Sequence, residues 1–295
     1  MTVIYIFAAL LIVYLLIGFS ATLYILCPPK VSLKKKAWEL FELKQVDPKI
    51  MELPFETIEK TSPWGYRLYA RKYCVPDSNK YVILLHGHNS DSSAMVRFAP
   101  LFLERGINCI IPDHRFSALS GGGCITLGHK ESKDAAVFID YIHEINKDAK
   151  IGIFGESMGA ATALLLSSNR TDLSFTVEYC GYSDLSSLIK HNLKSIWKPL
   201  IIIYPLFLIF VPLFIHTRIK NVSPAFASKT IRCPVLLMHS KADKVVPYEN
   251  SIKIKENING ATLVSFENAQ HGLSLNTYPK QFSEAINSFL DSIPF

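Results

Sequence analysis

The stretch Lys150-Ile-Gly-Ile-Phe-Gly-Glu-Ser-Met-Gly159, followed by Ala160-Ala-Thr-Ala-Leu-Leu-Leu166, leaves this chain few ways to fold. An apolar run of strand type enters Gly155-Glu156-Ser157-Met158-Gly159, and a helix-forming run leaves it. G-x-S-x-G in that context predicts a strand, a sharp turn and a helix, with the serine hydroxyl exposed at the tip. The turn tolerates no bulk at its flanks, and Gly155 and Gly159 meet that demand. Ser157 also falls at a helix N-terminus, where free N–H groups and the dipole favour developing negative charge. The small residues Ala160, Ala161 and Ala163 let the helix lie close on a sheet. The competing reading of the pentapeptide alone is a Gly-rich turn with an incidental serine. The rest of the chain weakens it.

Residues Phe55–Lys60 and Tyr66–Tyr73 read as a hairpin through Ser62-Pro63-Trp64-Gly65. The continuous apolar run Tyr81–Leu85 reads as a buried strand, and Asn108–Pro112, Phe175–Cys180, Val235–His239 and Ala261–Phe266 read as further strands. Helices are expected over Ser93–Arg105 and Glu131–Ile145, and at the C-terminus, where Phe282, Ala285, Ile286, Phe289 and Leu290 recur at helical spacing. Strands alternating with helices predict a mostly parallel, doubly wound α/β sheet that binds ligands beyond the carboxyl ends of its strands. A chain of 295 residues is long enough for one such domain plus appendages.

A serine hydroxyl is a poor nucleophile at neutral pH; it needs a base, and the base needs an orienting carboxylate. With a nucleophile elbow the expected chain order is serine, acid, histidine. Asp243 and His271 each follow a predicted strand after Ser157, so Ser157–Asp243–His271 are the candidate catalytic residues. His191 and His216 lie in an insertion, His239 lies within a strand, and the remaining histidines precede the serine. Asp184 is the alternative acid, with a helix N-cap as its structural role, and Asp113 reads as a loop-anchoring carboxylate. The tetrahedral intermediate needs two N–H donors. The backbone amides of Met158, after the nucleophile, and His88, in the loop after the Tyr81–Leu85 strand, are the candidate oxyanion hole. His86-Gly87-His88 lacks the third ligand of a metal site, so no metal is expected, and His86 reads as a loop brace.

Taken together, His86-Gly87, Asp113-x-Arg115, Gly128-x-x-Glu131-x-x-Asp134, Gly155-Glu-Ser157-Met-Gly159, Asp243-x-x-Val246-Pro247 and His271-Gly272 resemble the α/β-hydrolase superfamily. Within it the chain looks like the serine aminopeptidase and monoglyceride lipase-like branch, over residues 55–295. The resemblance implies an α/β-hydrolase fold with a cap insertion, Ser157 as nucleophile, Asp243 as acid, His271 as base, and His88 and Met158 as oxyanion donors. It implies no cofactor. Two departures stand out. Arg115 is followed by Phe-Ser-Ala-Leu-Ser where Gly-x-Gly-x-Ser is usual, and His239-Ser240 stands where His-Gly is usual.

Two apolar stretches lie outside the alternation. Residues 3–26 carry no charge and are long enough for one N-terminal transmembrane helix. No basic residue precedes them and the run is too long for a signal peptide, so 1–27 is expected to be an uncleaved anchor. Residues 28–54 read as a linker with a short amphipathic segment, Ala37 to Leu43. Lys30, Lys34, Lys35 and Lys36 place the catalytic domain in the cytoplasm by the positive-inside rule. Leu200 to Ile215 is likewise uncharged but interrupted by Pro205 and Pro212, within a cap insertion spanning 186–225. It reads as a helix pair packed on the body, or as a lid whose apolar face touches the bilayer or opens a lipid path to Ser157; a second span, which would put Asp243 and His271 across the membrane from Ser157, is the remaining alternative. The net charge of +6 is not interleaved with aromatics, which suits an anionic membrane surface and not nucleic acid. The six scattered cysteines form no metal spacing; Cys109, Cys180 and Cys233 sit in or beside strand-like apolar runs, which favours buried free thiols and a reducing compartment.

The expectation is therefore a membrane-anchored serine hydrolase acting on a small-molecule or lipid-like acyl ester or thioester. A peptidase of short peptides, and an inactive hydrolase fold used as a membrane-tethered binding module, remain as alternatives.

Overall fold

The computed structural model describes residues 1–29 and 48–295. The Ala37–Leu43 segment and the Lys30–Lys36 flank lie outside the described residues.

The chain begins with α1 (Thr2–Leu26), followed by β1 (Glu56–Thr61), β2 (Arg67–Tyr73), β3 (Lys80–Leu85) and β4 (Asn108–Pro112). Next come α2 (Glu131–Ile145), β5 (Lys150–Glu156), α3 (Met158–Ser167) and β6 (Leu173–Tyr179). The insertion contributes α4 (Leu185–Ile196) and α5 (Tyr204–Ile215), after which β7 (Val235–Ser240), α6 (Glu249–Lys255), β8 (Thr262–Phe266) and α7 (Pro279–Asp291) complete the domain. The strands form one sheet in the order β1-β2-β4-β3-β5-β6-β7-β8. β1, β2 and β4 pair antiparallel, and every pairing from β4 through β8 is parallel. This is the α/β-hydrolase fold. The strand order reverses at β3, between β4 and β5, so the loops after β3 and β5 open onto the same crevice.

Strand periodicity explains why the apolar run of β3 is unbroken. Along β3, Val82 and Leu84 join the core layer with Phe98, Phe102, Phe282 and Ile286, while Tyr81, Ile83 and Leu85 join the opposite layer with Phe138, Ile139 and Ile142. Helical turns at 92–103 and α7 cover the first face; α2 and α3 cover the second. The stretch expected as one helix over Ser93–Arg105 is broken into Ser92–Met95, a 3₁₀ turn at Val96–Phe98 and Pro100–Leu103. Pro100 has no N–H to continue the ladder. Within the segment expected as a linker, Ile50 and Leu53 pack against the first core layer.

A third cluster lies apart from the sheet. Leu26 of α1, Ile189 and Leu193 of α4, and Leu206, Phe207, Val211 and Ile215 of α5 pack together above the strand ends. Asp184 caps α4, its carboxylate accepting from Ser187 N at 2.7 Å. That is the N-cap role expected as its structural alternative.

Candidate active site

Ser157 sits at the N-cap of α3 with φ 57° and ψ −115°. A non-glycine residue reaches that conformation only when its surroundings impose it. Here Ser157 N donates to Tyr179 O at 2.8 Å, tying the elbow to β6. A Cβ on Gly159 would stand 2.0 Å from Leu85 O, and one on Gly155 would stand 2.1 Å from Gly159 O, so neither position admits a side chain.

The structure brings Ser157, His271 and Asp243 into one hydrogen-bonded chain. His271 Nε2 lies 2.8 Å from Ser157 Oγ, and His271 Nδ1 lies 2.6 Å from Asp243 Oδ2. Asp243 Oδ1 accepts from Val245 N and Val246 N, both at 2.9 Å. The Asp243 side chain is fully buried. Burial would push its carboxyl up, but hydrogen bonds from His239 and His271 and the Val246 amide together hold it well below the usual carboxylate range. An ionised Asp243 then favours the His271 tautomer that carries its proton on Nδ1 and leaves Nε2 free to accept from the serine.

His239 is the neighbour that the sequence reading passed over. It is buried, with Nε2 3.2 Å from Asp243 Oδ2 and 2.8 Å from Val246 O, and Nδ1 2.6 Å from Ser251 Oγ. Burial pushes this ring down; Asp243 and the buried Glu178 reverse the effect and raise it above its ordinary value. The i,i+4 spacing of His239 and Asp243 across the end of β7 was the available signal.

The candidate oxyanion residues flank the serine. Met158 opens α3, where the first amides have no intrahelical acceptor. The loop after β3 passes so close that a Cβ on Gly87 would be 3.3 Å from Ser157 Cβ. His86, buried, braces this loop: its Nε2 accepts from His114 N at 2.9 Å and its Nδ1 meets Gly87 O at 2.7 Å. The His88 side chain borders both clefts at Ser157, its Nε2 2.7 Å from Ile25 O in the last turn of α1. Asp113 accepts from Ser92 N and Leu119 N and so anchors its loop. Phe116 (φ 60°) and Ala118 (φ 39°) occupy left-handed backbone at the two positions where glycine is usual.

Two clefts meet at Ser157. One, of about 320 Å³, runs beneath the cap and is lined by Leu188, Ile189, Leu193, Phe207 and Ile25. The other, of about 440 Å³, is bordered by Ser90, Arg97, Glu156, His271 and Gly272. Arg97 and Glu156 pair with each other in a buried ion pair. The hydroxyl is therefore open to an apolar chain on one side and a polar group on the other.

Residues 76–178 match the family described as serine aminopeptidase, S33, and residues 217–293 match the TAP-like protein family. The uncharacterized protein YqkD of Bacillus subtilis (strain 168) is 28% identical over 249 residues, covering 81% of this chain and 82% of that one. Among solved structures, the Pyrococcus furiosus esterase Pf2001 superposes with a TM-score of 0.70 at 22% identity, over 84% of this chain and 94% of its own. A puromycin-hydrolyzing peptidase of Mycobacterium tuberculosis superposes with a TM-score of 0.62 at 20% identity, over 82% of this chain and 39% of its own. These structural likenesses establish the fold.

Proposed function

We propose that this chain, which belongs to the α/β-hydrolase superfamily, is a serine hydrolase of carboxylic esters or thioesters with apolar acyl chains. The observation that carries the reading is the hydrogen-bonded chain Ser157–His271–Asp243 at the floor of an apolar cavity. Ser157 Oγ attacks the acyl carbonyl while His271 Nε2 takes its proton. Asp243 holds the imidazole and stabilises the imidazolium that forms. The amides of His88 and Met158 receive the oxyanion, a contribution of about 10²–10³ in rate per donor. His271 then returns the proton to the leaving alcohol or thiol. Water, activated by the same imidazole, cleaves the acyl-enzyme and frees Ser157. Every step uses groups of this chain and water.

The acyl chain lies in the cavity beneath α4 and α5, and the leaving group faces the Arg97–Glu156 side. Residues 1–27 are the anchor, 55–295 the hydrolase domain and 186–225 its cap; the hydrolase domain lies on the cytoplasmic side. The matched peptidase family keeps a second reading open. An acid free to hold a substrate amine would support it, and Glu156, the acid that borders the polar cleft, is already paired with Arg97. That pairing favours the ester reading.

Labelling of the membrane-bound protein by a fluorophosphonate probe tests the proposal. Wild type reacts; Ser157→Ala abolishes the reaction, and His271→Ala and Asp243→Asn slow it by about 10⁴-fold or more. A folded wild type that does not label would overturn the hydrolase reading in favour of a tethered binding module.

A further inference from the structure

The first thirteen residues of the chain are exposed along α1, and Tyr14 is where α1 begins to pack on the body. From there on, the packing is intimate. Tyr14 OH donates to Ile202 O at 2.5 Å. Gly18 lies so close to α5 that a Cβ on it would stand 2.4 Å from Leu206 Cβ, and the Phe19 ring meets Phe210 and Phe214 at 5.5 and 6.1 Å. The last turn is stitched to the site itself: Ile125 N donates to Leu26 O at 2.7 Å, and His88 Nε2 meets Ile25 O.

The exposed apolar face of α1 continues alongside this contact, with Leu16, Ile17 and Phe19 at 57%, 50% and 38% exposure. If α1 spans the bilayer, these residues lie in hydrocarbon, and the part of α5 packed beside them lies at the same depth. The outer face of α5 matches that setting. Leu208, Ile209 and Leu213 are exposed, at 49%, 54% and 66%. Beside them Ile202 is 68% exposed, and Trp197, at the turn between α4 and a 3₁₀ segment at Lys198–Ile203, is 64% exposed. Trp197 is a residue type that favours the headgroup level. Lys194 and Lys198 on one side and Arg218 and Lys220 on the other suit anionic headgroups. The apolar cavity of Ser157 is bordered by Ile25 of α1 and by Ile196, the exposed last residue of α4, so it reaches the surface at the same place.

We infer that the cap helix α5 is immersed in the near leaflet beside α1, and that the cavity opens into that leaflet, so that substrate reaches Ser157 from the lipid phase. The occupant of the outer cap face is lipid acyl chain. This inference rests on α1 being a membrane anchor and narrows the proposed substrate to membrane-resident esters.

The test uses the full chain in phosphatidylcholine–phosphatidylglycerol vesicles, with its tryptophans Trp38, Trp64 and Trp197 replaced by Phe. One reporter, Phe7→Trp, reads α1; another, Leu213→Trp, reads the cap. Fluorophosphonate labelling checks that each is folded. The expected result is strong loss of both emissions with acyl-chain-brominated lipid and little loss with aqueous acrylamide. If Phe7→Trp is quenched by lipid and Leu213→Trp by acrylamide, the anchor stands and the immersed cap is overturned. If neither is quenched by lipid, the anchor reading fails. If Leu213→Trp is shielded from both, protein covers the face, whether residues 30–47 or a second copy, and the inference is again overturned. A second arm asks about access to the site. Ile209→Asp/Leu213→Asp should lower hydrolysis of 4-methylumbelliferyl oleate in the vesicles by at least about tenfold, as expected from the penalty for aspartate in hydrocarbon. Hydrolysis of water-soluble p-nitrophenyl acetate should stay unchanged. An equal fall on both substrates assigns α5 a purely structural role and overturns access from the leaflet.

Discussion

In the sheet body, Val82 and Leu84 of β3 face one core layer and Tyr81, Ile83 and Leu85 the other, and the covering helices α2 and α7 turn their polar sides to solvent. In the cap, Leu206, Phe207 and Val211 of α5 face inward while Leu208, Ile209 and Leu213, equally apolar, face out. The body thus uses its hydrophobic residues where water is excluded by protein alone. α5 and α1 are apolar all round, the pattern of a helix buried on every side, yet protein covers only one side of each among the described residues. The difference separates two kinds of stability. The body buries its apolar faces within the protein; the cap and α1 form one packed unit whose second apolar face is exposed among the described residues.

The largest effect expected from probing this contrast is in the body. Phe282 of α7 is fully buried between Phe98, Tyr179 and Phe266. Phe282→Ala should cost about 3–5 kcal/mol, by the burial lost and the cavity left. Denaturation followed in detergent and in bilayer should give the same loss. A loss that depends on lipid would break the distinction between the two regions.

Gly18→Leu comes next and acts on the other side. The added side chain would drive α1 off α5, an overpacking cost of about 1–3 kcal/mol. Because Ile25 O holds the His88 ring, the variant should also label more slowly with a fluorophosphonate while remaining membrane-bound. Unchanged labelling and unchanged melting would make α1 a tether only, and the cap–anchor unit would dissolve as a concept.

The smallest effect sharpens the body side, at the sheet edge that carries Asp243 and His271. His239 is raised above the ordinary histidine value of about 6.5, so its favourable interactions with Asp243 and Glu178 are fully present below that pH. They are lost as pH rises through the folded-state value. His239→Gln should therefore be less stable than wild type by about 1 kcal/mol in mild acid, with the deficit shrinking as pH rises. The variant's labelling rate should change its pH profile as well, because Asp243 loses a partner. A deficit independent of pH, with an unaltered labelling profile, would reduce His239 to packing.

Much of this was legible along the chain. The Gly155–Gly159 elbow reads from five residues because its geometry is local: two positions without room for a Cβ and a serine between them. β3 reads from the unbroken apolar run Tyr81–Leu85 because a strand covered on both faces has no polar side to show. The juxtaposition of Ser157, His271 and Asp243 was readable because each follows a strand, and a parallel sheet delivers the carboxyl ends of its strands to one edge. The two departures after Arg115 were visible as letters, but only the backbone reveals Phe116 and Ala118 in left-handed conformation.

Other features were decided only in three dimensions. β2 joins the sheet antiparallel to β4, a pairing between segments whose sequences record no partner. His239 read as one strand residue among apolar ones until the fold turned it toward Asp243. The sequence alone determined that residues 3–26 and 200–215 are apolar and where the elbow falls, because hydropathy and backbone preference are properties of neighbouring residues. That α1 rests on α5 and ties its last carbonyls to Ile125 and to the His88 loop was decided by tertiary structure, because contacts between residues more than sixty positions apart depend on how the sheet aims its loops.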